Sequence, residues 1–510
     1  MRIRAYRSML AAVTAVSAMA LPLVSAAPAG ADPDPAAFGM SITAPRVKRH
    51  LEKLQQIAEA NGGTRASGTP GFDQSVDYVA GRLRKAGYQV TLQEFEFPFF
   101  RELEKATLAR TAPTPKTYVL ATDFATMTYS GSGDVTGTVQ AVDLVLPPAP
   151  APSSTSGCEP SDFAGFTPGN IALLQRGTCT FQAKVANAQA AGASAVIVFN
   201  EGQPGREGLL NGTVGVPATI PVVGTTFATG NELAAAGTVV QVKTMTESDP
   251  HRKTRNVIAE NRFGDPDKVV ALGAHLDSVV AGPGINDNGS GSAAVLETAL
   301  RLAPLPTKNR LRFHFWGAEE LGLLGSKHYV AGLSAEEKAK IKLYLNFDMI
   351  ASPNYVFGIY DGDNSDGVGA PAGPPGSGEI EKLFEQYFTA AGRPFVGTDF
   401  TGRSDYGPFI EAGIPAGGLF TGAEGVKTEA EATRFGGEAG VAYDKCYHQE
   451  CDTVTNINDE ALAINSGAVA TAAAVYAYSK DLPGGGTPGS TAPGAGGGGD
   501  DHDPDQAVSE

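Results

Sequence analysis

Three apolar runs in the second half of the chain each carry a titratable residue at or beside their carboxyl end. VVALGAHLD covers 269–277, RFHFWGAEE covers 312–320 and IKLYLNFDM covers 341–349. Runs this short and this apolar are strands buried on both faces, which calls for helices above and below a parallel sheet. Intervening helices are predicted at 290–302 and 321–330. Polar side chains just past the carboxyl ends of successive strands mark the crevice of an open α/β sheet. His275, Glu319, Glu320 and Asp348 all fall there. The pattern predicts an α/β fold with a mainly parallel central sheet and helices on both faces.

The flanking sequence completes that fold. Val47, Leu51, Leu54, Ile57 and Ala58 repeat at helical spacing over 43–61, and a second amphipathic helix spans 75–86. A strand follows at 88–97. Further on come a helix at 378–391, a strand at 414–420 and a long Ala-rich helix at 459–479. Residues 110–157 are irregular, with short strands at 117–121 and 133–146. A small α/β texture covers 170–242, with strands at 171–174, 195–199, 220–223 and 239–242 and a helix at 181–191. That stretch has no histidine and only scattered acids, so it reads as an accessory module. The expected organisation is the N-terminal part of the main domain at 40–124, an inserted domain at 125–245, and the C-terminal part of the main domain, with the polar cluster, at 246–482. Residues 483–510 are a Gly/Pro-rich linker and acidic tail that cannot bury a core.

The N-terminus reads as an export signal. Arg2, Arg4 and Arg7 precede an apolar stretch from Met9 to Val24, and Ala29-Gly30-Ala31 fits a cleavage site. Residues 1–31 are therefore expected to be removed from a secreted, extracellular product, in which disulfides are permitted. Four cysteines are too few for a disulfide scaffold but enough for two local staples, Cys158–Cys179 and Cys446–Cys451. The formal charge of −16 argues against nucleic-acid and anionic-membrane binding, which need a basic face. A single Trp argues against a tryptophan-built carbohydrate platform.

Five residues are candidate metal ligands: His275, Asp287, Glu320, Asp348 and His448. Imidazole mixed with carboxylate suits zinc, with manganese or cobalt as substitutes. Asp277 is placed to brace His275 through its second ring nitrogen. Asp287 sits in the glycine-rich turn 282–291, where a carboxylate could bridge two cations. The adjacent Glu319 and Glu320 would repel in an apolar setting, unless one binds metal and the other takes a proton from water. His448 lies inside the short Cys446–Cys451 loop, which would hold it rigidly. No GxSxG, HExxH or GxxxxGK[ST] occurs, so the usual serine-hydrolase, zincin and phosphate-loop signatures are missing.

The stretches GAHLDSV, GINDNGSG, WGAEELGLLGS, NFDM, TGRSDYGPF and YDKCYHQECDT, in this order, resemble the secreted M28 zinc aminopeptidases of the Streptomyces type. CTFQAKVANAQAAGASAVIVFN resembles the protease-associated (PA) domain inserted in such enzymes. The resemblance implies a zinc-exopeptidase fold of the phosphorylase/hydrolase-like kind, acting as a monomer on peptides and proteins with a free N-terminal amine. It implies two zinc ions, with His275 and Asp348 on one, Glu320 and His448 on the other, and Asp287 bridging. Glu319 would be the general base and would also help hold the substrate amine. Tyr447 would stabilise the oxyanion, and Arg403 would lie at the substrate end of the pocket. Large apolar N-terminal residues such as Leu would be preferred. Some relatives bind calcium through Asp side chains in the last helix, but the aligned Ala463 and Gly467 have no carboxylate, which argues against that calcium site here. A carboxypeptidase or other amidohydrolase on the same scaffold is the competing chemistry. A ligand-free binding domain would have lost the five ligands and the base, which are all present.

Overall fold

A computed structural model describes residues 32–368 and 371–483. The expected leader at 1–31 and nearly all of the expected tail at 483–510 lie outside the described residues.

The central sheet runs, from one edge, Val396–Thr398, Gly358–Tyr360, Ala416–Phe420, Ile341–Phe347, Asp265–His275, Asn309–Trp316 and Val239–Glu260. The four strands in the middle, from Ala416–Phe420 to Asn309–Trp316, pair in parallel. Antiparallel strands flank them on both sides. The sheet is thus mixed, with a parallel heart. Within that heart, residues alternate between two hydrophobic cores. Val270, Leu272 and Ala274 face one core, and Val269 and Ala271 face the other. Leu311, Phe313 and Phe315 likewise oppose Trp316. Burial on both faces is why these strands read as continuous apolar runs rather than as alternating ones.

The order of the strands fixes the position of the crevice. From Asp265–His275 the chain crosses to Asn309–Trp316 on one side through the helix Gly291–Leu302. It then returns past its starting strand to Ile341–Phe347 on the other side, through Leu324–Gly332 and Ala335–Lys340. The two crossovers part at the carboxyl end of Asp265–His275, a topological switch point where such sheets bind ligands. His275 is the last residue of that strand.

The last helix, Asp459–Tyr478, is the one described helix long and apolar enough to cross a membrane. It is built into the first core instead, with Leu462, Val469 and Ala472 to Ala474 fully buried beside Gly291–Leu302. Its start is fixed by Asn458, whose side chain accepts from the backbone N–H groups of Glu460 and Ala461.

The insert is joined to the sheet by a long ribbon. The strand expected at 88–97 continues to Ala112, and the one expected at 239–242 continues to Glu260. They pair antiparallel from Gln89 opposite Glu260 to Ala112 opposite Val239. Cross-strand ion pairs such as Arg101–Glu247 and Lys253–Glu94 line this ribbon. Such charges interrupt the apolar alternation by which a strand is read, and they hide its length in the sequence. The ribbon also carries the insert's own strands, Gly133–Ala141, Ile171–Gln175, Ala195–Phe199 and Val222–Thr225, with the helix Phe181–Ala190 packed on them. The strand expected at 117–121 shrinks to Lys116–Thr117, and the one at 133–146 ends at Ala141. Gly358–Tyr360 and Val396–Thr398 are only three residues each, too short to leave a periodic signal.

Candidate active site

Five chain segments converge at the switch point. His275 ends its strand, Asp348 follows Ile341–Phe347, and Glu319 and Glu320 follow Asn309–Trp316 after a two-residue turn. Asp287 comes from the turn Ile285–Ser290 that leads into the helix Gly291–Leu302. His448 comes from the loop closed by the Cys446–Cys451 disulfide. The second expected disulfide, Cys158–Cys179, is also formed. Ala318, Met349 and His448 all have positive φ without being glycine. Each is a ligand candidate or the neighbour of a candidate acid, so backbone strain gathers at this site.

The cluster is tight. His275 Nε2 lies 3.2 Å from Asp287 Oδ1, 3.4 Å from Asp348 Oδ1 and 3.7 Å from Glu319 Oε2. His448 Nε2 lies 3.2 Å from Asp287 Oδ2 and 3.0 Å from Glu320 Oε2. Asp287 therefore turns one carboxylate oxygen to each imidazole. The ligand atoms of His275, Asp287 and Glu320 lie within 4.8 Å of one another, as do those of His275, Glu319 and Asp348.

So many buried acids demand positive charge. Burial pushes the Glu320 carboxyl up to about 7, and the neighbouring Asp287 adds to the rise. Burial likewise holds Glu319 well above the usual carboxylate range; His275 opposes the rise, and Asp348, Asp405 and Glu320 reinforce it. Burial works against protonated His448, yet its hydrogen bonds to Asp287 and Glu320 lift it to about 10. Asp287 is pushed up by burial, but the two imidazoles bring it below its ordinary value. Glu320 Oε1 and Asp348 Oδ1 are buried with no hydrogen-bond partner among the described residues. Carboxylate oxygens without a hydrogen-bond donor, grouped with two imidazoles, are the donor set that divalent cations satisfy, so these residues fit a metal centre.

A surrounding layer holds the acids in place. His275 Nδ1 is 3.2 Å from the Asp277 carbonyl oxygen and 3.7 Å from its Oδ1, which also accepts from the backbone N–H of Glu319. Ser404 donates to Asp348 Oδ2 at 2.5 Å, and Asn346 donates to Ser404. Asp452 accepts from the backbone N–H groups of both Asn286 and Asp287. The Asn288 side chain ties Phe347 and Met349 to the Asp287 turn. Ser404 and Asp452 sit inside motifs already singled out, TGRSDYGPF and YDKCYHQECDT, and that position was their only signal.

Tyr447 stacks on His448 with ring centroids 3.8 Å apart, and burial keeps its phenol protonated far above neutral pH. Beside the cluster, a cavity is walled by Met349, Tyr360, Tyr406, Phe420 and Tyr443. Arg403 is at its mouth, 3.4 Å from Glu424. All the expected site residues thus meet in one place. His314, which lacks such a context in the sequence, is fully buried and stacks on Trp316.

Residues 256–473 match peptidase family M28, and residues 136–233 match the PA domain. An aminopeptidase of Pseudomonas aeruginosa is 52% identical over 84% of this chain and 80% of its own length. The chain belongs to peptidase family M28. A probable leucine aminopeptidase 2 of Aspergillus fumigatus is 46% identical to this M28 chain over 82% of it and 80% of its own length. Among solved structures, a zinc aminopeptidase from Bacillus subtilis superposes with a TM-score of 0.56 at 26% identity. That match covers 86% of this chain and 97% of the other. The PA domain sits as an insert in the M28 chain, between the two strands of the ribbon, Gln89–Ala112 and Val239–Glu260.

The disulfide loop makes a local prediction. Replacing Cys446 and Cys451 by Ser opens a loop whose ends are five residues apart, at a cost of about 2 kcal/mol in the loop-entropy picture. His448 then loses its fixed position, so the double variant should lose metal affinity more than it loses stability. Parallel thermal melts and zinc titrations would check this, and unchanged zinc affinity would contradict it.

Proposed function

We propose that this M28 enzyme is a secreted aminopeptidase with two zinc ions, hydrolysing the first peptide bond of chains with a free amine. The observation that carries the reading is Asp287, whose two oxygens each lie 3.2 Å from a different imidazole. That is the arrangement of a carboxylate shared between two cation sites. His275 and Asp348 would complete one site, and Glu320 and His448 the other. The ions, when bound, would supply Lewis acidity toward the scissile carbonyl and a water acidified to near neutral pH.

The chain's own groups do the rest. Glu319, buried and held proton-avid, takes the proton of the attacking water and delivers it to the leaving amine. Tyr447, fully protonated, donates to the carbonyl oxygen as it gains charge. Glu319 and the neighbouring acids hold the substrate's α-ammonium, which is how a chain end is told from an internal bond. The aromatic and methionine walls of the cavity receive the first side chain and favour large apolar residues such as Leu, with Arg403 at the substrate end. The relative named a probable leucine aminopeptidase points the same way. The two disulfides support export.

Leucine p-nitroanilide and its amine-blocked acetyl derivative test the assignment. The free-amine substrate should be hydrolysed and the blocked one left intact. Cleavage of both at similar rates would instead point to a general amidohydrolase.

A further inference from the structure

The stretch between the helices Ala44–Ala60 and Pro70–Ala86 carries one arginine among small residues, in GGTRASGT. In the sequence it looks like a plain turn, far from any candidate ligand. In the fold Arg65 is fully buried, and its guanidinium uses all three of its faces on backbone carbonyls. Nε donates to Pro283 at 2.8 Å, Nη1 to Leu276 and Nη2 to Gly284. Its backbone joins in, for Arg65 N–H donates to Ser278 Oγ at 3.0 Å, and Ser278 Oγ is 2.9 Å from the Gly282 carbonyl.

Leu276 lies between His275 and Asp277, and Gly284 lies three residues before Asp287. One side chain therefore ties the loop after the first histidine to the turn that carries the shared carboxylate. The approach is close enough to require glycine: a Cβ on Gly284 would lie 2.4 Å from Ser278 Cβ and 3.2 Å from Arg65 Nη2.

We propose that Arg65 is a positioning residue of the metal centre, fixing the spacing of His275 and Asp287 by clamping the two loops that bear them. This rests on the dinuclear reading above. None of the three acceptors is charged, so the charge of the guanidinium is balanced only by its wider surroundings. Burial lowers its pKa to about 10, and Asp277, then Asp452, Asp287 and Glu320, oppose that fall. Two of those acids, Asp287 and Glu320, are candidate metal ligands, so the guanidinium sits within the field of the site whose loops it holds. A lysine would keep that charge but not the planar three-way fork.

Arg65→Lys separates the two roles. Positioning predicts a loss of zinc affinity of about 10–100-fold, the range seen when groups that orient metal ligands are removed. It also predicts an altered visible spectrum of the cobalt-substituted protein, and a lower kcat at saturating zinc with KM unchanged. Leu83→Ala, a core truncation in the helix Pro70–Ala86, is the control: it should lower Tm and leave zinc affinity and the cobalt spectrum alone. Wild-type affinity and spectrum in Arg65→Lys would overturn the proposal. If Arg65→Lys does not fold, Ser278→Ala removes one tie of the same clamp. A fall in its zinc affinity would support the proposal, and wild-type affinity would overturn it. Wild-type protein that binds no zinc at all would overturn the metal reading as well, a result distinct from an indifferent arginine variant.

Discussion

Glu319→Gln should retain its zinc and lose turnover by about 10²–10⁴-fold, the range that a positioned general base supplies. Several observations converge on this expectation. Glu319 is set apart from its neighbour: Glu320 contacts His448 at 3.0 Å, whereas Glu319 stands 3.7 Å from His275. The loop that carries it is anchored through its backbone N–H on Asp277, a bond the substitution leaves untouched. Glutamine fills the same volume, so the site keeps its shape. What disappears is a carboxylate held proton-avid by burial and by the acids around it, without the close imidazole contact that Glu320 makes. Metal analysis beside steady-state kinetics on leucine p-nitroanilide would measure both halves. Wild-type turnover with full metal content would exclude Glu319 as the base.

Asp287→Asn should be still more damaging, because it strikes both cation sites at once. An amide offers one carbonyl oxygen where the carboxylate turns an oxygen to each of His275 and His448. Zinc affinity should fall by more than the ~100-fold seen for groups that merely orient ligands, and activity should be undetectable at ordinary zinc concentrations. Stability should fall as well when no metal is added. The two imidazoles hold the Asp287 carboxyl below its ordinary value, so its charge stabilises the metal-free fold, and the amide leaves both imidazoles facing one acid fewer. The metal-free variant should therefore melt below the metal-free wild type. Added zinc, which stabilises a protein by about 2.7 kcal/mol when present at 100 times Kd, should raise the Tm of the wild type but barely move the variant. A zinc-induced shift equal to that of the wild type would show that Asp287 is not a shared ligand.

The catalytic half of the fold could be read directly because its strands are buried on both faces. VVALGAHLD has no polar position until the strand ends, so the change to His275 stands out. The candidate ligands could be picked out for the same reason: each acid or histidine ends an apolar run or sits in a glycine-rich or cysteine-bracketed loop. The long ribbon of Gln89–Ala112 and Val239–Glu260 could not, since its exposed charges break the alternation that defines a strand. The residues that brace the candidate ligands are harder still to find. Ser404 and Asp452 act through contacts 56 or more residues away in the chain. Arg65 reaches carbonyls more than 200 residues away, and a lone arginine in a turn of small residues carries no local sign of what it will hold.

Hydrolysis by this enzyme is proposed to require two ions held together by His275, Asp287, Glu320, Asp348 and His448. The most direct test is titration of the metal-free enzyme with zinc, following bound metal and leucine p-nitroanilide hydrolysis together. A two-ion centre predicts no hydrolysis without metal, saturation at two ions per chain, and full activity recovered by the second equivalent. Undiminished hydrolysis after complete metal removal, or saturation at a single ion with full activity, would contradict it.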